Sequence, residues 1–151
     1  MTPDIPPLLP PDEMPAIHTQ ADLDRHWRAL MGPLGFSRTL LWVMFIDPAG
    51  RCTGPLSQIE EIPPQPDELL LTNLLKICAE VIDESLQPGS RVAFLRSRPG
   101  SGTVTGDDLA WARGLTEAAQ AVGVRCEPVH LATDERVTVL AYDDLARRAA
   151  G

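Results

Sequence analysis

Two arginines one residue apart, Arg96 and Arg98, stand where an apolar segment runs into a glycine-rich loop, and Asp108 follows where a helix pattern begins. The stretch reads FLRSRPGSGTVTGDDLAWARGL, from Phe94 to Leu115. Guanidinium groups bind phosphates and carboxylates through parallel hydrogen bonds. They have no lone pair to offer a metal ion. These residues therefore suit either the binding of an anionic ligand or a structural ion pair between Arg96 and Asp108.

Nucleotide binding is disfavoured by the spacing of the loop. A P-loop ends in Gly-Lys-Ser/Thr, whereas Gly106 is followed by Asp107. A dinucleotide-binding loop reads GxGxxG, whereas Gly100, Gly102 and Gly106 give GxGxxxG. Asp107 and Asp108 fill the first turn of the next helix, where they complement the helix dipole but repel a phosphate.

Nucleophilic or metal-based catalysis has little support in the chain. No serine lies in a GxSxG elbow. The histidines His18, His26 and His130 are scattered, and no two have the spacing of metal ligands. An enzyme of unrecognised type remains an alternative. No CxxC motif is present, and we expect the three cysteines to be small hydrophobic residues of the core: Cys52, Cys78 and Cys126.

Length and charge narrow the class of protein. The chain has 151 residues and a formal net charge of −8, which argues against nonspecific binding to nucleic acid or anionic membranes. The opening MTPDIPPLLPPDEMP lacks the basic and apolar regions of a signal peptide. No apolar run approaches the ~20 residues of a membrane span. We expect a cytoplasmic protein with a proline-rich tail over residues 1–18 and one α/β domain over residues 19–151.

The first half of that domain reads as a helix followed by two strands. Thr19 is a predicted N-cap with Asp22 as its capping-box partner, and Gly32-Pro33 ends the helix. The continuous apolar run at 39–47 predicts a strand buried on both faces. The turn DPAG leads to a return strand at 51–62.

The second half alternates helices and strands. Asp67 is the predicted cap of a long helix over 68–86, closed by Pro88-Gly89. The helix is apolar on so many sides that we expect it to pack on more than one surface. A strand at 91–95 and a helix from Thr105 to Gly123 follow. The chain then gives strands at 124–132 and 136–142, and a short helix or tail. The order αββαβαββ predicts a mixed sheet covered by helices, with a core that includes Trp42, Phe45, Leu74, Phe94 and Trp111.

From Ser37 to about Leu145 the order and pattern resemble a JAB/MPN domain of the RadC-like type. In that family a Ser-Arg-Glu precedes an apolar strand and an Asp-x-x-Gly/Asn-Arg turn, where this chain has SRTLLWVMFIDPAGR. A long helix and a strand then lead to His-x-His-Pro-Ser-Gly and an Asp that opens the next helix, where this chain has the loop around Arg96 and Arg98. The resemblance implies a three-layer α/β/α sandwich with JAB/MPN, cytidine-deaminase-like architecture.

The resemblance also implies that catalytic residues are replaced. In active members two His and one Asp hold zinc, and the Glu is the general base. Here Arg96 and Arg98 stand in place of the two His, Thr39 stands in place of the Glu, and only Asp108 matches. A guanidinium near a divalent ion adds repulsion on the order of several kcal/mol, and a catalytic zinc needs three protein ligands. We therefore expect neither a metal nor another cofactor, and no hydrolysis of the isopeptidase type.

The resulting prediction is a pseudo-enzyme without zinc ligands or general base, which acts as a protein-interaction or scaffold module. Its expected partner is an unknown protein or a second copy of the chain, and neither nucleic acid nor a membrane. The alternative is a site for an anion or a small carboxylate at Arg96 and Arg98, for which both guanidinium groups must point into an open pocket. A buried Arg96–Asp108 pair favours the scaffold instead.

Overall fold

The predicted order of helices and strands is confirmed. A computed structural model describes residues 5–10 and 13–140. Within this part of the chain, three helices and five strands follow one another as α1 (Gln20–Met31), β1 (Leu40–Ile46), β2 (Cys52–Ile59), α2 (Glu68–Ser85), β3 (Arg91–Ser97), α3 (Gly106–Val122), β4 (His130–Ala132) and β5 (Val137–Val139). The predicted short helix or tail after residue 142 lies outside the described residues.

The strands form one mixed sheet in the order β2-β1-β3-β4-β5. β1 is antiparallel to both β2 and β3, β3 is parallel to β4, and β4 is antiparallel to β5. In the register of the central pair, Leu40 lies opposite Ser97 and Leu41 lies opposite Arg96. The start of β1 and the end of β3 therefore meet at one end of the sheet.

Side chains of the two central strands alternate between two apolar clusters, as expected for strands that are covered on both faces. Leu41, Val43, Phe45 and Phe94 pack with α2 and α3, including Trp111. On the other face, the cluster comprises residues of α1 and of the strands: Leu23, Trp27, Met44, Ile46, Ala93 and Leu95. Helices thus cover both faces of a mixed sheet, and the α/β class is confirmed.

Five residues were predicted to form part of the core, and three of them are fully buried: Phe45, Phe94 and Trp111. Trp42 and Leu74 are only partly buried. The indole of Trp42 donates to Ser97 Oγ at 3.0 Å, so its polar edge is used at the end of the sheet.

The capping box predicted at Thr19 and the cap predicted at Thr105 are confirmed, and Thr105 also forms a capping box that was not predicted. Thr19 and Asp22 form a capping box at α1, and Thr105 and Asp108 form another at α3. Asp67 occupies the N-cap position of α2, but its side chain makes no capping hydrogen bond. The predicted helix over 68–86 agrees with α2 to within one residue, since the helix ends at Ser85 and Leu86 occupies the C-cap position.

Within the described residues, α2 packs against both the sheet and α3, as predicted, but it does so through one side of the helix only. Leu71, Leu75 and Cys78 are buried against the sheet and α3, whereas Leu69 and Ile77 are 66% and 56% exposed. The sequence pattern was apolar on most sides, but the described chain covers only one of them.

Several strand boundaries differ from the prediction. A strand extends as far as a neighbouring strand pairs with it, whereas the prediction followed the length of each apolar run. β3 extends two residues further, to Ser97, because β1 continues opposite it. β2 is shorter at both ends. The predicted strand at 124–132 is reduced to β4, preceded by one bridge between Val92 and Cys126. The strand at 136–142 is reduced within the described residues to β5.

The chain before α1 is attached to the turn between β1 and β2. Met14 and Ile17 are buried. The Ile17 N–H donates to Gly50 O at 2.7 Å, and Arg51 Nη1 donates to Met14 O at 2.9 Å. Gly50 has φ +88°, and a Cβ there would lie 2.7 Å from Ile17 O, so this approach requires glycine.

Candidate functional site

The end of β3 and the first turn of α3 bring the arginines and Asp108 together. Arg96 belongs to β3, which corrects its prediction as a loop residue, and Arg98 follows the strand directly. Side chains of a strand alternate between its faces, so Arg96 lies on the same face as Phe94, beneath α3. The capping box at Thr105 fixes the first turn of α3 and with it Asp108.

Asp108 is a fully buried carboxylate that accepts four N–H groups. Arg98 binds it in a bidentate manner, through Nε to Oδ1 at 2.8 Å and through Nη2 to Oδ2 at 2.7 Å. Arg96 Nε donates to Oδ1 at 3.0 Å, and the backbone N–H of Thr105 donates to Oδ2 at 2.9 Å. We refer to Arg96, Arg98, Thr105 and Asp108 as the Asp108 cluster.

The Asp108 cluster contains two cations, Arg96 and Arg98, and one anion, Asp108. Burial alone would raise the pKa of Asp108, but the hydrogen bonds from Arg98 and Thr105 outweigh burial and hold this pKa below its ordinary value. The hydrogen bonds that Arg98 donates to Asp108 raise the pKa of Arg98 and outweigh the opposing effect of its burial. Asp108 is therefore ionised, and two guanidinium groups share its single charge. Arg96 Nη1 is buried without a hydrogen-bond partner.

Arg98 also holds the glycine-rich loop that follows it. Its Nη1 donates to the carbonyl oxygens of Pro99 and Ser101, at 3.1 and 3.3 Å. Its Nη2 donates to Thr103 O at 2.9 Å. The guanidinium is thus enclosed by the backbone of its own loop, and the donors that an external anion would use are already engaged.

A second anchor of the loop, Asp134, has no recognisable sequence signal. It lies in the turn between β4 and β5, and its carboxylate accepts the backbone N–H groups of Gly100 and Phe36, both at 2.9 Å. Arg136 Nη2 from the same turn donates to Gly102 O at 3.3 Å. These contacts join residues far apart in the sequence, and only the fold brings them together.

Thr39 lies at the same end of the sheet but is not part of the hydrogen-bonded cluster. It directly precedes β1, whose first residue pairs with Ser97. Asp107, next to Asp108, accepts a hydrogen bond from Gln65 Nε2, whereas the carboxylate that binds Arg96 and Arg98 is that of Asp108. The four positions that the resemblance singled out therefore share one region, and three of them are joined by hydrogen bonds.

The histidines lie elsewhere and apart from one another. His130 is buried on the α1 side of the sheet, with Nε2 3.3 Å from Gln20 Nε2 and 3.7 Å from Asp24 Oδ1. His26 Nε2 lies 3.3 Å from Cys52 Sγ. Among residues 5–10 and 13–140, no group of three or more His, Cys, Asp or Glu side chains is arranged to hold a metal ion.

A cavity of about 730 Å³ opens between α1 and β5. Asp24, Arg28, Asp134 and Arg136 contribute to its lining, together with Val137. Neither Arg96 nor Arg98 reaches it. Arg96 and Arg98 are therefore not the polar groups of this cavity.

No protein-family model matches the chain, and no curated protein has a significantly similar sequence. In the part of the chain that the structure describes, none of the helices is both long and apolar enough to cross a membrane.

Proposed function

We propose that the chain is a non-catalytic domain of the JAB/RadC-like type, with the three-layer JAB/MPN architecture, which acts as a protein-interaction or scaffold module. The order of elements supports this assignment, and so do the ion pairs that join Arg96, Arg98 and Asp108, the positions that the resemblance aligns with the family's zinc ligands. The role as a scaffold rests on analogy with non-catalytic members of that family.

The observation that carries the proposal is the saturation of Asp108. This is the one residue of the family's zinc-binding set that the chain keeps, and two guanidinium groups and a backbone N–H occupy its oxygens. Arginine stays protonated and has no lone pair, so the residues present do not fit a zinc ion. Thr39 does not titrate as a carboxylate does, and therefore does not replace the general base.

Anion binding, the alternative function, has less support in this geometry. It requires two guanidinium groups that are directed into an open pocket. Arg96 is instead 6% exposed and Arg98 12%, and both bind a carboxylate that is itself fully buried. The buried Arg96–Asp108 pair favours a structural role for the loop.

Zinc analysis tests the proposal. Purified full-length protein is expected to hold far less than one zinc per chain by elemental analysis, and one tightly held zinc per chain would overturn the non-catalytic assignment. The triple variant Thr39→Glu, Arg96→His, Arg98→His, with Asp108 kept, is expected to gain zinc affinity.

A matched control separates a restored site from adventitious binding. The same triple variant with Asp108→Asn keeps the new histidines and the new carboxylate but lacks the family's aspartate, so it is expected to bind zinc more weakly than the triple variant. Equal affinity of the two variants would contradict the alignment of Asp108 with the family's ligand.

A further inference from the structure

The outer face of α2 carries exposed apolar residues in its first half and, beyond the exposed Lys76, acidic residues in its second half. Leu69, Leu70 and Ile77 are 66%, 38% and 56% exposed. Glu80, Asp83 and Glu84 follow on exposed positions of the last two turns. Positions three and four residues apart share one side of a helix, so these residues form one stripe along α2, which we call the outer stripe.

The opposite side of α2 is buried in the core of the domain. Leu71, Leu75 and Cys78 pack into the core with β1, β3 and α3. Nothing in the described chain covers the outer stripe, whose leucines and isoleucine remain exposed. The orientation of α2 is therefore fixed by its buried side, and the outer stripe contributes little to holding the helix in place.

The acidic end of the outer stripe is unfavourable for α2 itself. Carboxylates in the last turn of a helix oppose its dipole, and the last turn of α2 has no basic residue. Glu80 and Glu84 are also a like-charged pair at i and i+4, which destabilises an isolated helix. A cationic group placed beside this end would turn both costs into favourable interactions.

Charge also decides among the candidate occupants. A second copy of the chain would bring the same three carboxylates, with Lys76 as the only basic residue of α2. A nucleic acid or an anionic membrane would be repelled in the same way. The complementary surface is apolar beside Leu69 and Ile77 and basic beside Glu80 and Glu84.

We infer that the outer stripe of α2 binds an amphipathic helix of another protein, whose apolar residues cover Leu69, Leu70 and Ile77 and whose arginine or lysine residues contact the acidic end. Helices of this kind dock through apolar residues at i, i+3 or i+4, and i+7. The inference rests on the proposed function as an interaction module and assigns that role to one surface and one class of partner.

Site-specific photo-crosslinking in the native host tests the inference. A photoreactive residue at position 73 of the full chain, between Leu69 and Ile77 on the outer stripe, is expected to crosslink to a protein segment with apolar residues at helical spacing and a net positive charge, identified by mass spectrometry. The variant Leu69→Gln/Ile77→Gln is expected to lower the yield at least tenfold, and Glu80→Lys/Glu84→Lys is expected to do the same.

Leu56→Gln is the matched control, because Leu56 is 48% exposed but lies on β2 and outside the outer stripe. It is expected to leave the yield unchanged. A crosslink to a second copy of this chain, a crosslink to an acidic segment, or no specific crosslink at position 73 would overturn the inference.

Failure of the inference and failure of the proposed function give different results. A partner captured from a photoreactive residue at position 56, but not at position 73, would keep the interaction module and reject the outer stripe. Stoichiometric zinc in the wild-type protein would instead reject the non-catalytic function, whatever the crosslinking shows.

Discussion

At the scale of single residues, Asp108 is the centre of an asymmetric cluster. Arg98 binds both of its oxygens, whereas Arg96 reaches only one. Arg98 also donates to three carbonyl oxygens of the loop. Its loss would therefore remove hydrogen bonds both from the Asp108 carboxylate and from the loop backbone. Removing the Asp108 carboxylate would leave the buried Arg96 and the half-buried Arg98 without their counter-charge. The three residues should therefore differ in their effect on stability.

A double-mutant cycle measures this difference. Asp108→Asn is expected to lower the free energy of unfolding by up to about 3–5 kcal/mol, because it breaks a buried ion pair from one side. The coupling energy between Asp108→Asn and Arg98→Met is expected to be at least ~1 kcal/mol and larger than that with Arg96→Met. Urea unfolding of the single and double variants gives these values. Coupling near zero for both arginines would contradict the structural role of the cluster and free them for ligand binding.

Two buried histidines predict a loss of stability at mildly acidic pH. Burial lowers the pKa of His26 and His130 below 6.5, and for His130 the nearby Asp24 opposes burial without reversing it. The unfolded chain then takes up protons before the folded chain does, so the free energy of unfolding falls as pH falls below about 6.5.

Chemical unfolding at pH 7.5 and pH 5.5 is expected to show this fall in the wild-type protein. His130→Gln should reduce the difference between the two pH values, because one of the groups responsible is removed. His18→Gln, which removes an exposed histidine, is the comparison variant. A pH-independent free energy of unfolding in the wild-type protein would contradict the burial of both neutral imidazoles.

At the scale of helices and strands, features that depend on residues close in sequence were predicted better than strand boundaries, which depend on pairing with a distant strand. The capping boxes at Thr19 and Thr105 involve residues three apart, so the sequence contains all of their chemistry. The extension of β3 to include Arg96 depends on its pairing with Leu41, 55 positions away in the chain by the register of the sheet. No local pattern reports such a pairing, and the sequence therefore placed Arg96 in a loop.

Helix α2 shows a second limit of sequence patterns. Its apolar residues predicted burial on several sides, but periodicity does not say whether a covering surface belongs to the same chain. The described structure covers Leu75 and leaves Ile77 exposed.

Paired truncations on α2 distinguish these two sides. Leu75→Ala is expected to lower the free energy of unfolding by about 2–5 kcal/mol, since it leaves a cavity in the core. Ile77→Ala is expected to change it by less than about 0.5 kcal/mol. Leu74, which is half-buried, should lie between the two. Urea unfolding of the three variants tests this order, and equal losses at positions 75 and 77 would contradict the packing of α2.

At the scale of the whole molecule, the sheet and the segment before α1 are linked. The sequence predicted that residues 1–18 form a tail, because six of the first fifteen are proline. Proline-rich composition indicates the absence of helix and strand, but it does not indicate whether a segment is packed. The close approach of Ile17 to Gly50 appears only in the fold, where a glycine with positive φ leaves room for it.

Removal of residues 1–18 tests whether the domain is complete without them. Ile17 is 2% exposed and Met14 6%, and burial of such side chains stabilises by about 1.5–3 kcal/mol each. The truncated chain is therefore expected to unfold at a lower urea concentration, with a loss on the order of 2–5 kcal/mol. Ile17→Ser in the full chain should reproduce much of this loss, and Leu8→Ser, at a residue 60% exposed, should not. A truncated chain as stable as the full one would place the start of the domain at residue 19, as its sequence predicted.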